Sequence, residues 1–162
     1  MAITATSYGL NHDAAFTGMV ADGQVANIVS KINDDTATVA YGKGVVRSGE
    51  KGFKAATASS TADQFVGVLV RELNRSYADG ETFGAPVDRP ASVLTAGVIW
   101  VTVAEAVAVG DAAFLRVGAT QTGDFAKTAG ETATLSVAIP GAKFLTAATA
   151  GGLAKLSLVV GG

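Results

Sequence analysis

Four short stretches hold the residue types from which an active site could be built. His12, the single histidine, stands beside Asp13 in a chain with many serines. An imidazole next to a carboxylate is the general-base half of a nucleophilic triad. A catalytic base must be held by a rigid surround, however, and His12 lies in a stretch with no hydrophobic period. A solvated or interface histidine is the better reading. Asp34 and Asp35 are paired carboxylates of the kind used for acid–base work or cation binding. Neighbours on an extended chain project to opposite faces, and the glycine and distal glutamate of a calcium loop do not follow. The pair reads as a polar turn. Gly42-Lys43-Gly44 and Gly49-Glu50-Lys51-Gly52 resemble phosphate-cradling loops, yet neither has the Gly-x-x-x-x-Gly-Lys-Ser/Thr spacing that opens a helix.

Lys43, Arg47, Lys51 and Lys54 form one locally basic stretch flanked by Tyr41 and Phe53. A nucleic-acid surface needs a positive surplus, and here 12 basic residues face 14 acidic ones. A solvated face or a contact with an acidic partner accounts for it better. With no cysteine there is no thiol nucleophile, disulfide or zinc–thiolate site. The sequence therefore predicts no catalytic residue, no cofactor, no metal site and no nucleic-acid partner. An enzyme or small-ligand binder would have to draw on His12, Asp34, Asp35 and Arg71, which no spacing brings together.

The elements that would position such residues are short strands. Val25–Ile32 reads as a strand or a short helix, and Thr36–Arg47 as β, with Gly42 and Gly44 marking close backbone approach. Phe65–Val70 suits a strand buried on both faces. Ala91–Thr95 is a short strand, with Ala96-Gly97 as a turn before Val98–Val103. Val107-x-x-Gly110-Asp111 is a tight turn in which glycine supplies the backbone angle and aspartate bonds the turn. Ala112–Val117 follows. Thr132–Ile139 alternates, Pro140-Gly141 closes it, and Leu153–Val160 alternates again after Gly151-Gly152. The expected core is Val66, Val68, Val70, Val98, Trp100, Leu115, Leu135, Val137, Ile139, Phe144, Leu156 and Leu158. The fold class is all-β, a barrel or a sandwich, with the body over residues 26–162. No apolar run reaches the ~18–20 residues of a membrane helix, and the N-terminus has no leader-like pattern, so a soluble chain is expected.

Hydrophobic residues make up 49% of the chain, charged residues only 16%, and there are 20 glycines. That low charge marks a surface prepared for neighbours. Residues 1–25 sharpen the point, because their apolar side chains form no face of their own. They read as an extended arm that docks on something, with Ile3, Tyr8, Leu10, Phe16, Met19 and Val20 as its interface residues.

The order of several blocks resembles the small capsid cement (decoration) proteins of tailed bacteriophages. Those blocks are Asn27–Asn33, Val39-Ala40-Tyr41-Gly42-Lys43-Gly44-Val45-Val46, Phe65–Val70, and Val98–Val103 followed by Val107-x-x-Gly110-Asp111. At the C-terminal end come Pro140-Gly141-Ala142-Lys143-Phe144-Leu145-Thr146 and Ala148-Thr149-Ala150-Gly151-Gly152-Leu153-Ala154. The resemblance implies a compact β-barrel or β-tulip-like body with an extended N-terminal arm, in a non-enzymatic virion protein, made in the host cytoplasm, that binds the outer surface of the mature icosahedral head. There it would brace neighbouring major capsid subunits. It also implies self-association, as a homotrimer rather than a homodimer, and no membrane partner. Another phage structural role, as a head-completion or tail-tube protein, is the alternative.

Overall fold

A computed structural model describes residues 15–22, 25–73 and 76–158. His12 and Asp13, with Ile3, Tyr8 and Leu10 of the arm and Val159 and Val160 of the last strand, lie outside the described residues. Eleven strands carry the fold: β1 (Asn27–Asn33), β2 (Val39–Ala40), β3 (Gly44–Ser48), β4 (Gly52–Ala55), β5 (Phe65–Leu69), β6 (Gly84–Ala85), β7 (Pro90–Thr102), β8 (Ala112–Arg116), β9 (Phe125–Ala126), β10 (Ser136–Phe144) and β11 (Leu153–Leu158).

Strands β1, β4, β3, β5 and β7 are joined in that order, and β1 also pairs with β7, so five strands close into a barrel. Closure leaves those strands no free edge. The 13-residue β7 then runs on past the barrel, and its second half pairs with β11. From there the sheet continues through β10 and β8 to β9, and Phe125 of β9 bridges back to Val103 just beyond β7. One long strand is thus the spine of two curled layers. The turn expected at Ala96-Gly97 is absent. Gly97 instead lies within β7 at φ +127°, where the chain entering β1 passes so close that a Cβ would lie 3.2 Å from Ala26 Cα.

Two hydrophobic clusters fill the layers. The smaller lies inside the barrel, around Val45, Phe53, Leu69 and Val93, and is capped by Val39, Tyr41 and Ala85. The larger joins the outer faces of Val46, Val68 and Leu94 to Ile99, Val101, Leu115, Phe125, Phe144 and Leu156. Val68 and Leu69 are both fully buried in different clusters, which is the two-faced burial expected of β5. Val98, Leu115, Ile139, Phe144, Leu156 and Leu158 are buried as expected. Val66, Val70, Leu135 and Val137 are only partly buried and pack against the clusters from outside. Trp100 is also only partly buried: Ile99 and Val101 point into the larger cluster, and Trp100 lies on the opposite face of β7, beside the groove-lining Thr102.

Two further expectations shift. Thr132–Thr134 is a 3-10 turn, so strand pairing begins only at Ser136. Pro140-Gly141 does not end β10, whose register with β8 slips between Ala138 and Lys143. Proline sits there without cost because a bulge needs no amide donor. The Val107–Asp111 turn forms as expected: Gly110 has φ +89° and Asp111 Oδ2 accepts the Ala108 N–H at 2.9 Å.

The two layers are stapled by Lys43, whose ammonium meets Asp124 Oδ1 at 2.7 Å, beside a Gly44 N–H to Gly123 C=O bond of 2.8 Å. Burial pushes the Asp124 carboxyl above its ordinary value, and the Lys43 and Arg116 charges only partly offset that. Removing Lys43 leaves a buried carboxylate with less compensation. Because Lys43 is 30% exposed, Lys43→Met is expected to cost about 2 kcal/mol, below the ~3–5 of a fully buried pair. The sign with pH follows from linkage. A carboxyl whose folded pKa is raised contributes fully below its unfolded value near 3.8 and loses that contribution as pH climbs through the folded value. Without Lys43 the folded value rises further. The melting gap between the two proteins should therefore be widest at neutral pH and narrow on acidification; a pH-independent gap would contradict this.

Candidate functional site

Where they are described, the sequence candidates for chemistry are either bonded within the fold or exposed, and they are not brought together. Asp34 and Asp35 point to different partners. Asp34 Oδ2 accepts the Ser48 hydroxyl at 2.7 Å, while Asp35 Oδ2 accepts the Ala55 N–H at 2.8 Å. They share no ligand position. Lys43 is tied to Asp124, and Arg47, Lys51 and Lys54 stand exposed around the β3–β4 hairpin. Glu105 accepts the Lys127 and Thr128 N–H groups and the Thr128 hydroxyl. Burial raises its carboxyl, but those bonds and the Arg116 charge outweigh it and hold the group below its usual value. Among the described residues no three His, Asp or Glu side chains gather into a metal site.

The feature that stands out is the segment 15–22. Val20 forms an antiparallel bridge with Ile99, flanked by Ala21 N–H to Val98 C=O (2.8 Å) and Trp100 N–H to Met19 C=O (2.9 Å). Gly18 N–H adds a 2.7 Å bond to Trp100 C=O. The segment is added to β7 where the barrel strands have left it, so it covers an edge that would otherwise be open. Of the described interface candidates, Met19 and Val20 are partly buried against the body, whereas Phe16 stays 47% exposed.

Phe16 and Thr17 line a groove of about 680 Å³ together with Arg71, Trp100, Thr102 and Leu153. Among the described residues lining it Arg71 is the single charged one, and its guanidinium lies over Phe16 at 4.6 Å from the ring centre and over Phe83 at 4.5 Å. Such cation–π contacts occupy the charge from two sides. Among the described residues lining the groove there is no carboxylate or imidazole to partner Arg71. Phe83 in turn packs on Tyr41 and Tyr77, whose hydroxyls lie 3.3 Å apart. The Arg71–Phe83–Tyr77 connection went unread in the sequence, where residues 71–85 look like a polar loop. The signal available was two aromatics within that loop.

Comparison with known proteins bears directly on this geometry. No curated protein matches the chain in sequence. Among solved structures, a chain from the capsid of Myoviridae phage XM1 superposes with a TM-score of 0.76 at 19% identity, covering 99% of each chain. That likeness speaks for the fold. The head fiber gp8.5 N base of bacteriophage phi29 aligns at 13% identity over 83% of this chain and 94% of that one, with a TM-score of 0.43, too low to argue from. The family described as structural cement protein (E217 gp24/Pam3 gp6) matches residues 3–159, which takes in the docked segment and both layers. On that match, the chain belongs to the phage structural cement protein family.

Proposed function

We propose that this capsid cement protein binds the outside of the mature head, where its N-terminal arm reaches onto a neighbouring capsid subunit, and that it assembles as a homotrimer. The cement role and the place in the virion follow from the family. The observation that carries the finer reading is the docked segment: residues 18–21 complete an edge of β7 and leave Phe16 half exposed at the mouth of a groove. Chain with Ile3, Tyr8 and Leu10 continues from that point. Apolar residues of an arm need a partner surface, and the low charge of the chain lowers the cost of covering a broad one. The exposed Ile28 and Ile32 on the outer face of β1 add to the material for contact. A protein that binds only the assembled shell stabilises that shell by mass action, and many copies make modest single contacts sufficient.

The test compares the full chain with one lacking residues 1–14, each mixed with expanded, undecorated heads and pelleted. The shorter deletion matters, because removing residues 1–21 would also strip the Gly18, Met19 and Ala21 bonds from β7. The full chain is expected to bind at a fixed stoichiometry, and the truncated one at least tenfold more weakly with an unchanged melting temperature. No binding by the full chain would refute the exterior cement reading, and equal binding would refute the arm's part in it. Light scattering should give three times the monomer mass, and any other multiple overturns the trimer.

A further inference from the structure

We infer that Gly18, Gly42 and Arg71 form a latch that fixes where the arm joins the body, with Arg71 acting as a positioning residue for head binding. Only the last step, the effect on head binding, rests on the proposed function.

The two glycines cross at a separation that no side chain permits. Their φ angles are +80° and +79°, in the left-handed region. A Cβ on Gly18 would lie 2.8 Å from Gly42 N, and a Cβ on Gly42 would lie 2.1 Å from Thr17 Oγ1 and 2.7 Å from Gly18 N. Both glycines are tied to the end of β5: Gly42 N–H donates to Leu69 C=O at 2.8 Å, and Arg71 N–H donates to Gly18 C=O at 2.7 Å. The arm backbone is thus pinned into a slot between Gly42 and Arg71.

The Arg71 side chain completes the hold. Its guanidinium lies between Phe16 of the arm and Phe83 of the body. Phe83 belongs to the aromatic group with Tyr41, the residue before Gly42, so the slot and the sandwich share one support. Phe16 is too exposed to be held by burial alone. Upstream, Ala15 is buried at the groove beside Trp100 and Thr102. The latch therefore fixes the position of Ala15 and Phe16 on the body. A preset start point reduces the ordering cost of binding, which is how a residue remote from the partner can govern affinity.

The experiment uses full-length Gly42→Ala, Arg71→Gln and Arg71→Lys. Hydrogen exchange is read at the amides of Gly18, Ala21 and Trp100, which join arm and body, and at the β7–β11 ladder as a reference. Head pelleting follows for each variant. Gly42→Ala is expected to speed exchange at the three arm amides at least tenfold, and Arg71→Gln about threefold to tenfold, with the reference ladder unchanged. Arg71→Lys should stay near wild type, because an ammonium keeps the contact with both rings. Head affinity should fall in the same order. Unchanged arm exchange in both Gly42→Ala and Arg71→Gln would overturn the latch. If the ladder amides of Gly42→Ala also exchange fast, its body has loosened and Arg71→Gln alone decides. Faster arm exchange with wild-type head binding would overturn the positioning role. If wild type itself fails to bind heads, the exterior reading falls while the exchange data still judge the latch.

Discussion

Asn33→Leu should destabilise the body by about 3 kcal/mol or more, among the largest single-residue losses in the chain. Asn33 is fully buried at the end of β1, where that strand meets β4 and β7 together and the barrel closes. Its Nδ2 donates to Ala85 C=O at 2.9 Å and to Ala37 C=O at 3.1 Å, and its Oδ1 accepts the Asp35 N–H at 3.0 Å. Its backbone adds an N–H to Arg89 C=O and a C=O that accepts the Asp88 N–H, each at 2.9 Å. Leucine has a similar volume but abandons three backbone groups, and each unsatisfied buried group costs about 1–3 kcal/mol. Asn33→Asp sharpens the test. It keeps the acceptor for Asp35 N–H but turns an oxygen toward two carbonyls, so the buried acid is favoured only when protonated. Its folded pKa lies above its unfolded one, so its deficit should be greatest at neutral pH and shrink on acidification. Urea titration of both variants checks this, and a loss under about 1 kcal/mol for leucine would contradict the role assigned to Asn33.

Asn33 also shows what the sequence could and could not reveal. Asn33-Asp34-Asp35 reads as a polar turn, whereas Asn33 is the last residue of β1 and the chain bends only after it, and composition cannot show that Asn33 is buried at a barrel seam. Strands with a simple period were legible. Ala154, Leu156 and Leu158 alternate with Lys155 and Ser157 and are buried accordingly, and β5 reads as buried on both faces. The misread boundaries are places where turn residues serve another purpose. Gly97 lets a neighbouring strand cross β7, and Pro140-Gly141 sits in a bulge. Phe16, Met19 and Val20 stood out for a different reason: they are apolar without a face of their own. Their counterparts did not, because Arg71, Phe83 and Gly42 come together only through long-range pairing, and nothing local distinguishes Arg71 from a loop charge.

Gly67→Ala is the second large effect expected, about 3 kcal/mol, and it tests why so glycine-rich a chain builds so tight a barrel. Gly67 sits in the middle of β5, opposite Val45 of β3. A Cβ there would lie 2.1 Å from Leu94 C=O oxygen and 2.9 Å from the Val93 side chain, both on β7. The obstacle is backbone, so rotamer changes cannot relieve it, and β5 must part from the strand that both layers share. Overpacking typically costs about 1–3 kcal/mol where side chains can adjust. A clash with the main chain belongs at or above the top of that range. Gly151→Ala provides the contrast: its φ is +77° but nothing lies within 4 Å, so its cost is the left-handed conformation alone, about 1–2 kcal/mol. If denaturant melts show the two substitutions equally costly, the glycines serve only turn geometry. If Gly67→Ala is the worse by a clear margin, glycine here is what lets β5 and β7 approach closely enough to bury Val68 and Leu69 on opposite sides of one strand. That close approach also carries the arm, because the latch glycine Gly42 bonds to Leu69 and the docked segment rests on the continuation of β7. Gly67→Ala should therefore raise exchange at the Trp100 amide along with that of the barrel, whereas Gly151→Ala leaves the arm in place.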